Sequence, residues 1–162
     1  MKTRIAVVTA GSLTVLIAAM LFASATPAHQ VHASGGGCLA SYAAGFFGFS
    51  GDGFGLSTSV PAPRAIAGEL FLTADNSSSL TGTLNGFATI NNHGAVTRVT
   101  LSGTYAMVTG ECMGSAIVIR SGGSTLHYDL VPTGWSSGGI AKEVLFVETD
   151  PQTVGTLRAI AM

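Results

Sequence analysis

The sequence reads as an all-β protein, and most specifically as an eight-stranded antiparallel up-and-down β-barrel. Three observations carry that reading. Beyond the first forty or so residues, apolar and polar side chains alternate with period two, and no segment keeps apolar residues at i, i+3, i+4 and i+7 for three turns. Short clusters of Asn, Asp, Ser and Gly separate the runs, as hairpin turns require. The runs themselves alternate Gly, Ser and Thr with Val, Ile, Leu and Ala, a composition that suits strands. Closing such a meander into a barrel leaves no unpaired edge. A two-sheet sandwich satisfies the same pattern and stands as the alternative.

The chain begins differently. Lys2 and Arg4 precede an apolar stretch over residues 5–23, and small residues follow. A basic start, an apolar middle and a small-residue exit make a secretory signal peptide. Residues 1–25 are therefore expected to be removed, with cleavage after Ala25 or Ala28, and Ala33 as a further option. The same stretch approaches the roughly 20 residues that span a bilayer, so an uncleaved anchor is the competing reading. Acylation of Cys38 is disfavoured, because Gly35-Gly36-Gly37 precede it where a lipid-modified cysteine has an aliphatic residue. Residues 26–40 are expected to be a flexible Gly/Ser-rich segment, and residues 41–162 a single domain.

Eight strands are predicted, over residues 41–49, 64–73, 79–90, 95–108, 114–121, 125–131, 142–149 and 154–161. The third shows the alternation plainly. Leu80, Gly82, Leu84, Gly86, Ala88 and Ile90 share one face, and Thr81, Thr83, Asn85, Phe87 and Thr89 the other. Glycines 82, 86 and 103 are costly in a flat sheet and useful where a strand turns a barrel corner. Turn signals lie at Asp75-Asn-Ser-Ser78, Asn91-Asn-His-Gly94 and Ser121-Gly-Gly123, and Asp150-Pro151 leads into the last strand. Residues 50–63 and 132–141 are expected to be longer, mobile loops at a barrel end, where binding residues tend to sit.

Removing residues 1–25 leaves five basic residues, Arg64, Arg98, Arg120, Lys142 and Arg158, against eight acidic ones, a net charge of −3. That balance excludes nucleic acid as a partner class. Two cysteines remain, Cys38 and Cys112, and in an exported chain an even count reads first as a disulfide. Zinc is disfavoured, since neither cysteine has a second ligand close in sequence.

The strings Leu101-Ser-Gly-Thr-Tyr105, Gly110-Glu-Cys-Met-Gly114, His127-Tyr-Asp-Leu-Val131 and Lys142-Glu-Val-Leu-Phe-Val-Glu-Thr-Asp-Pro151 resemble those of a group of uncharacterised secreted bacterial proteins. In shape that group is similar to the small calycin-type barrels, which include lipocalin-like binders and the allene oxide cyclase and dirigent-type barrels. The resemblance implies a barrel and no particular reaction, because such folds host unrelated functions.

Candidate chemistry is sparse. Gly110-Glu-Cys112-Met-Gly114 has the outline of a nucleophile elbow, but a strand follows it where an elbow needs a helix. His127 and Asp129 lie two apart on one strand and share a face, to which Arg120, Glu148 or Arg158 could be added. Facing inward they would form an acid/base or ligand-anchoring cluster; facing outward, as Leu126, Tyr128 and Leu130 on the opposite face suggest, they are solvated. His29 and His32 flank the cleavage region, and no metal is assigned to them. Asn76-Ser77-Ser78 matches a glycosylation acceptor that occurs often by accident. Tyr42, Phe46, Phe47, Phe49 and Phe54 are either core or the lining of an apolar site, and Trp135 sits in an expected loop.

The candidate ligand-contacting residues are thus His127, Asp129, Arg120, Glu148, Trp135, Phe47 and Phe49, with no catalytic residue and no cofactor assigned. The leading expectation is an exported, non-enzymatic barrel, periplasmic or extracellular, that binds a small apolar or amphipathic ligand or contacts the cell envelope. A structural or surface protein without a ligand is the second, and a filled interior would favour it. A cyclase- or isomerase-type enzyme is the third. No stable membrane insertion is expected after cleavage, since several predicted strands fall short of the roughly 9–11 residues that cross a bilayer and aromatic girdles are missing.

Overall fold

The computed structural model describes residues 38–56 and 61–162. They form one short helix, α1 (Ala40–Ala43), followed by eight strands: β1 (Gly45–Gly55), β2 (Ala62–Ala74), β3 (Thr81–Asn92), β4 (Ala95–Met107), β5 (Gly114–Arg120), β6 (Thr125–Trp135), β7 (Ala141–Glu148) and β8 (Thr153–Ala161). Each strand pairs antiparallel with the next. β1 also pairs with β8, from Phe47 opposite Ala161 to Gly55 opposite Thr153, so the sheet closes into a barrel. A sandwich would leave β1 with one partner, and that alternative is excluded.

Alternation decides what faces in. Leu84, Ala88 and Ile90 are buried while Thr83, Asn85, Phe87 and Thr89 are exposed, as the sequence pattern predicts. Phe47, Leu84, Leu130 and Val144 are wholly inaccessible and fill the interior with Leu72, Tyr105 and Phe146. Gly68, Gly86 and Gly103 supply the curvature. A Cβ at any of them would overlap a carbonyl oxygen of the next strand, that of Phe87, Glu69 or Ile117 respectively, so only glycine lets the backbones approach this closely.

The two ends differ. At one, here the base, residues 38–44 lie across the barrel. The Tyr105 hydroxyl donates to the Ala40 carbonyl at 2.9 Å, the Ala40 N–H donates to the Ser79 carbonyl at 2.9 Å, and Tyr42 packs edge-on to Trp135 at 6.3 Å. Cys38 and Cys112 are joined in a disulfide across 74 positions of sequence. The other end, the mouth, carries the β3–β4, β5–β6 and β7–β8 connections.

Three expectations need correction. Residues 41–44 do not begin the first strand: Ala40 and Ala43 are buried, and the disulfide and Tyr105 hold this stretch across the base as a helical turn. Within the expected loop 50–63, residues 50–55 and 62–63 are strand, because Gly51 and Gly53 let β1 continue where a side chain would strike the Thr156 and Val154 carbonyls of β8; residues 57–60 lie outside the described residues. Residues 132–141 are likewise strand as far as Trp135, followed by a tight turn. There the Ser136 N–H donates to the Ile140 carbonyl at 2.8 Å, and the Ile140 N–H donates to Ser136 Oγ at 3.0 Å. The expected signal peptide, its cleavage positions and His29 and His32 lie outside the described residues, as does the flexible segment up to residue 37. Of that segment Cys38 and Ala40 are buried.

Candidate functional site

The inward face of the mouth carries the polar chemistry of the interior. Along β7, Val144, Phe146 and Glu148 point inward, and along β2 Arg64 opens the inward series that Ile66 and Leu70 continue. Arg64 and Glu148 form an ion pair through Arg64 Nη2 and Glu148 Oε2, with the carboxylate side chain fully buried and the guanidinium 10% exposed. Gly155 on β8 makes room for it. A Cβ there would lie 3.1 Å from Glu148 Oε2 and 3.2 Å from Arg64 Nη2. Glu148 Oε1 and Thr153 Oγ1 are buried without a hydrogen-bond partner among the described residues.

Tyr128 stands opposite Glu148 in register and edge-on to Phe146 at 6.0 Å. Burial first, and then the Glu148 carboxylate, push its phenol well above the ordinary tyrosine value. Arg120 completes the rim, its Nε donating to Ser124 Oγ at 2.8 Å. Beneath lies an enclosed cavity of about 20 Å³ lined by Phe49, Ile66, Leu101, Tyr128, Phe146 and Leu157, among others. That is room for one water molecule, for which roughly 10–15 Å³ suffices. Above Arg64 an open groove of about 530 Å³ runs between Asp52, Phe54, Asn91, His93 and Val154.

The predicted site residues divide among these places. Glu148, Arg120 and Phe49 meet around the mouth and the small cavity. Phe47 is core, and Trp135 is half-buried at the base. His127 and Asp129 face outward, as the opposite-face pattern suggests, and so do not line the interior. His127 has a different partner. Asp150, at the β7–β8 turn, accepts from the His127 backbone N–H at 2.8 Å and contacts its Nδ1 at 2.8 Å. Burial works to raise the Asp150 carboxyl, but the hydrogen bonds and charge of His127 outweigh it and hold the group below its ordinary value. Cys112 sits in a turn within a disulfide, so the Gly110–Gly114 string carries no free thiol.

Arg64, Tyr128, Thr153 and Asp150 escaped the sequence reading. Arg64 was findable, because it falls in step with Ile66, Leu70 and Leu72 on the inward face of its strand. Chemically, the mouth holds one buried carboxylate oxygen, Glu148 Oε1, that no donor among the described residues satisfies. Among the described residues no three His, Cys, Asp or Glu side chains converge as metal ligands would.

Comparison of the chain with protein-family models, with curated proteins and with solved structures finds no match. The calycin-type resemblance therefore rests on its short sequence strings alone.

Proposed function

We propose that the protein is exported and works without chemistry, as a structural or envelope-contacting barrel that acts through its outer surface and not by enclosing an apolar ligand. The observation that carries this reading is the interior itself: the cavity described within it holds about 20 Å³, whereas small-molecule sites span roughly 300–1,000 Å³. Export is supported by the Lys2/Arg4 and apolar pattern of the N-terminus and by the Cys38–Cys112 disulfide, a bond that persists in oxidising compartments. Strand length does not separate this barrel from a membrane one, since five strands run to 11 residues or more. The charges of the wall support a barrel in water: Asp52, Glu69, Arg98, Asp129 and Arg158 point outward among exposed apolar side chains such as Ile117 and Ile160, around an interior that is apolar where the lumen of a membrane barrel is polar.

Titration with a fluorescent fatty acid tests the reading. No saturable binding is expected; saturable binding that a Phe49→Trp substitution blocks would overturn it.

A second reading has its own observation in favour. The groove of about 530 Å³ bordered by Asp52, Arg64, Asn91 and His93 suits a small polar ligand bound outside the packed interior. The cyclase or isomerase reading has the least support, because His127 and Asp129 face solvent and Glu148 is engaged by Arg64.

A further inference from the structure

We propose that two copies of the chain pair through the outer wall of β2, β3 and β4, with Phe87 at the centre and Glu69 of each copy facing Arg98 of the other. Phe87 is 67% exposed, more than any other large apolar side chain on a strand. Its register neighbours are Glu69 on β2 and Thr100 on β4. Arg98 stands opposite Thr89, one inward-outward repeat further along, so Glu69 lies directly beside Phe87 on one side and Arg98 diagonally on the other. All three side chains border one outer groove of about 530 Å³.

The apolar surface continues from there. Phe71 is opposite Asn85 and therefore diagonal to Phe87, within reach of an aromatic ring. Phe46 is directly opposite Phe71, and the two are 44% and 51% exposed. Together the three rings expose roughly 300 Å², the size of the largest apolar patch on a typical monomer, which is often functional. Such a patch is the apolar centre of an interface, which a polar rim extends toward the roughly 800 Å² per partner of a stable complex.

Charge selects the occupant. The ion pairs among the described residues are Arg64–Glu148, His127–Asp150 and Arg158–Glu143, and neither Glu69 nor Arg98 takes part in one. A twofold axis lying in the contact plane between Phe87 and Thr89 exchanges the positions of the two charges. It sets each carboxylate against the partner's guanidinium and brings the two Phe87 rings together. A self-complementary patch of this kind is what an isologous dimer needs; a partner of one charge sign would leave either Glu69 or Arg98 opposed. The closed barrel leaves no free strand edge among the described residues, so copies cannot pair by extending its sheet.

The inference deepens the reading that the outer wall is the working surface, and rests on it. Its test is sedimentation equilibrium of the exported, oxidised chain from micromolar to near-millimolar concentration, for the natural protein, Phe87→Ser, Glu69→Arg, Arg98→Glu and the double charge exchange. All the substituted side chains point to solvent, and unchanged far-ultraviolet circular dichroism confirms that each variant is folded. A monomer–dimer equilibrium is expected, weakened at least tenfold by Phe87→Ser and by either single reversal, and restored to within a few-fold by the double exchange. A chain that stays monomeric throughout overturns the pairing and leaves the surface reading standing. So does a dimer indifferent to Phe87→Ser, or a double exchange no tighter than the single ones. A ligand found inside the barrel, by contrast, overturns the surface reading whatever the oligomeric state.

Discussion

Arg64 and Glu148 show how a single buried residue can govern the stability of this barrel. With the carboxylate side chain fully buried and the guanidinium 10% exposed, removing one partner strands the other. Arg64→Ala is expected to cost about 3–5 kcal/mol in denaturant unfolding. Replacing both, as Arg64→Met with Glu148→Leu, is expected to be close to neutral, because no charge is then left buried. Tyr105 behaves differently, through its proton. Burial first, and the Asp75 carboxylate second, push its phenol from 10.0 up to about 12. The unfolded chain gives up this proton more readily than the folded one. The contribution to stability is therefore complete below pH 10 and is lost as pH rises toward 12. Alkaline unfolding followed by tyrosinate absorbance should show that loss, and Tyr105→Phe should flatten this part of it. Asp150 has the opposite sign. Its carboxyl sits below 3.8 in the folded state, so its contribution holds above that value and disappears as pH falls through the folded one. Thermal midpoints measured from about pH 5 down to about pH 2 should fall less steeply for Asp150→Ala than for the natural chain.

At the scale of elements, the strands are held in place by positions that carry almost no side chain. A methyl group at Gly103 would meet the Ile117 carbonyl oxygen, so Gly103→Ala is expected to lower stability by about 1–3 kcal/mol, read as a drop of several degrees in the thermal midpoint. The base plug depends on a covalent tie. Cys38 and Cys112 close a loop of 74 positions, for which chain entropy gives about 4 kcal/mol. Reduction, or Cys38→Ala with Cys112→Ala, should destabilise the barrel by up to that amount. These elements also mark what was legible beforehand. Alternation identified all eight strands and put Leu84 on a buried face, because burial on one face leaves a period of two in the sequence; for Asp129 it left inward and outward both open. It failed where backbone geometry depends on distant partners. The Gly51 and Gly53 segment reads as loop by composition and is strand because β8 lies close against it. Residues 41–43 read as strand and Ala40 as flexible segment, yet Ala40–Ala43 is a helical turn because Cys112 and Tyr105, far along the chain, fix it. The Arg64–Glu148 pair joins β2 to β7, and no local pattern relates the two.

The described residues form a closed wall around a filled core, polar at the mouth, plugged and stapled at the base, with Phe46, Phe71 and Phe87 exposed on its outside. That distribution supports the proposed role for the surface. A barrel shaped to hold a ligand would instead keep small side chains around an empty centre, and here Phe47, Tyr105, Leu130 and Phe146 occupy it. The most direct test of this account is native mass spectrometry of the chain exported to an oxidising compartment and purified without detergent, set beside its denatured mass. The account expects each subunit to have the mass of the oxidised chain alone in both measurements. Additional mass per subunit, reproducible between preparations and lost on denaturation, would contradict it, because the filled interior has no place for such a ligand.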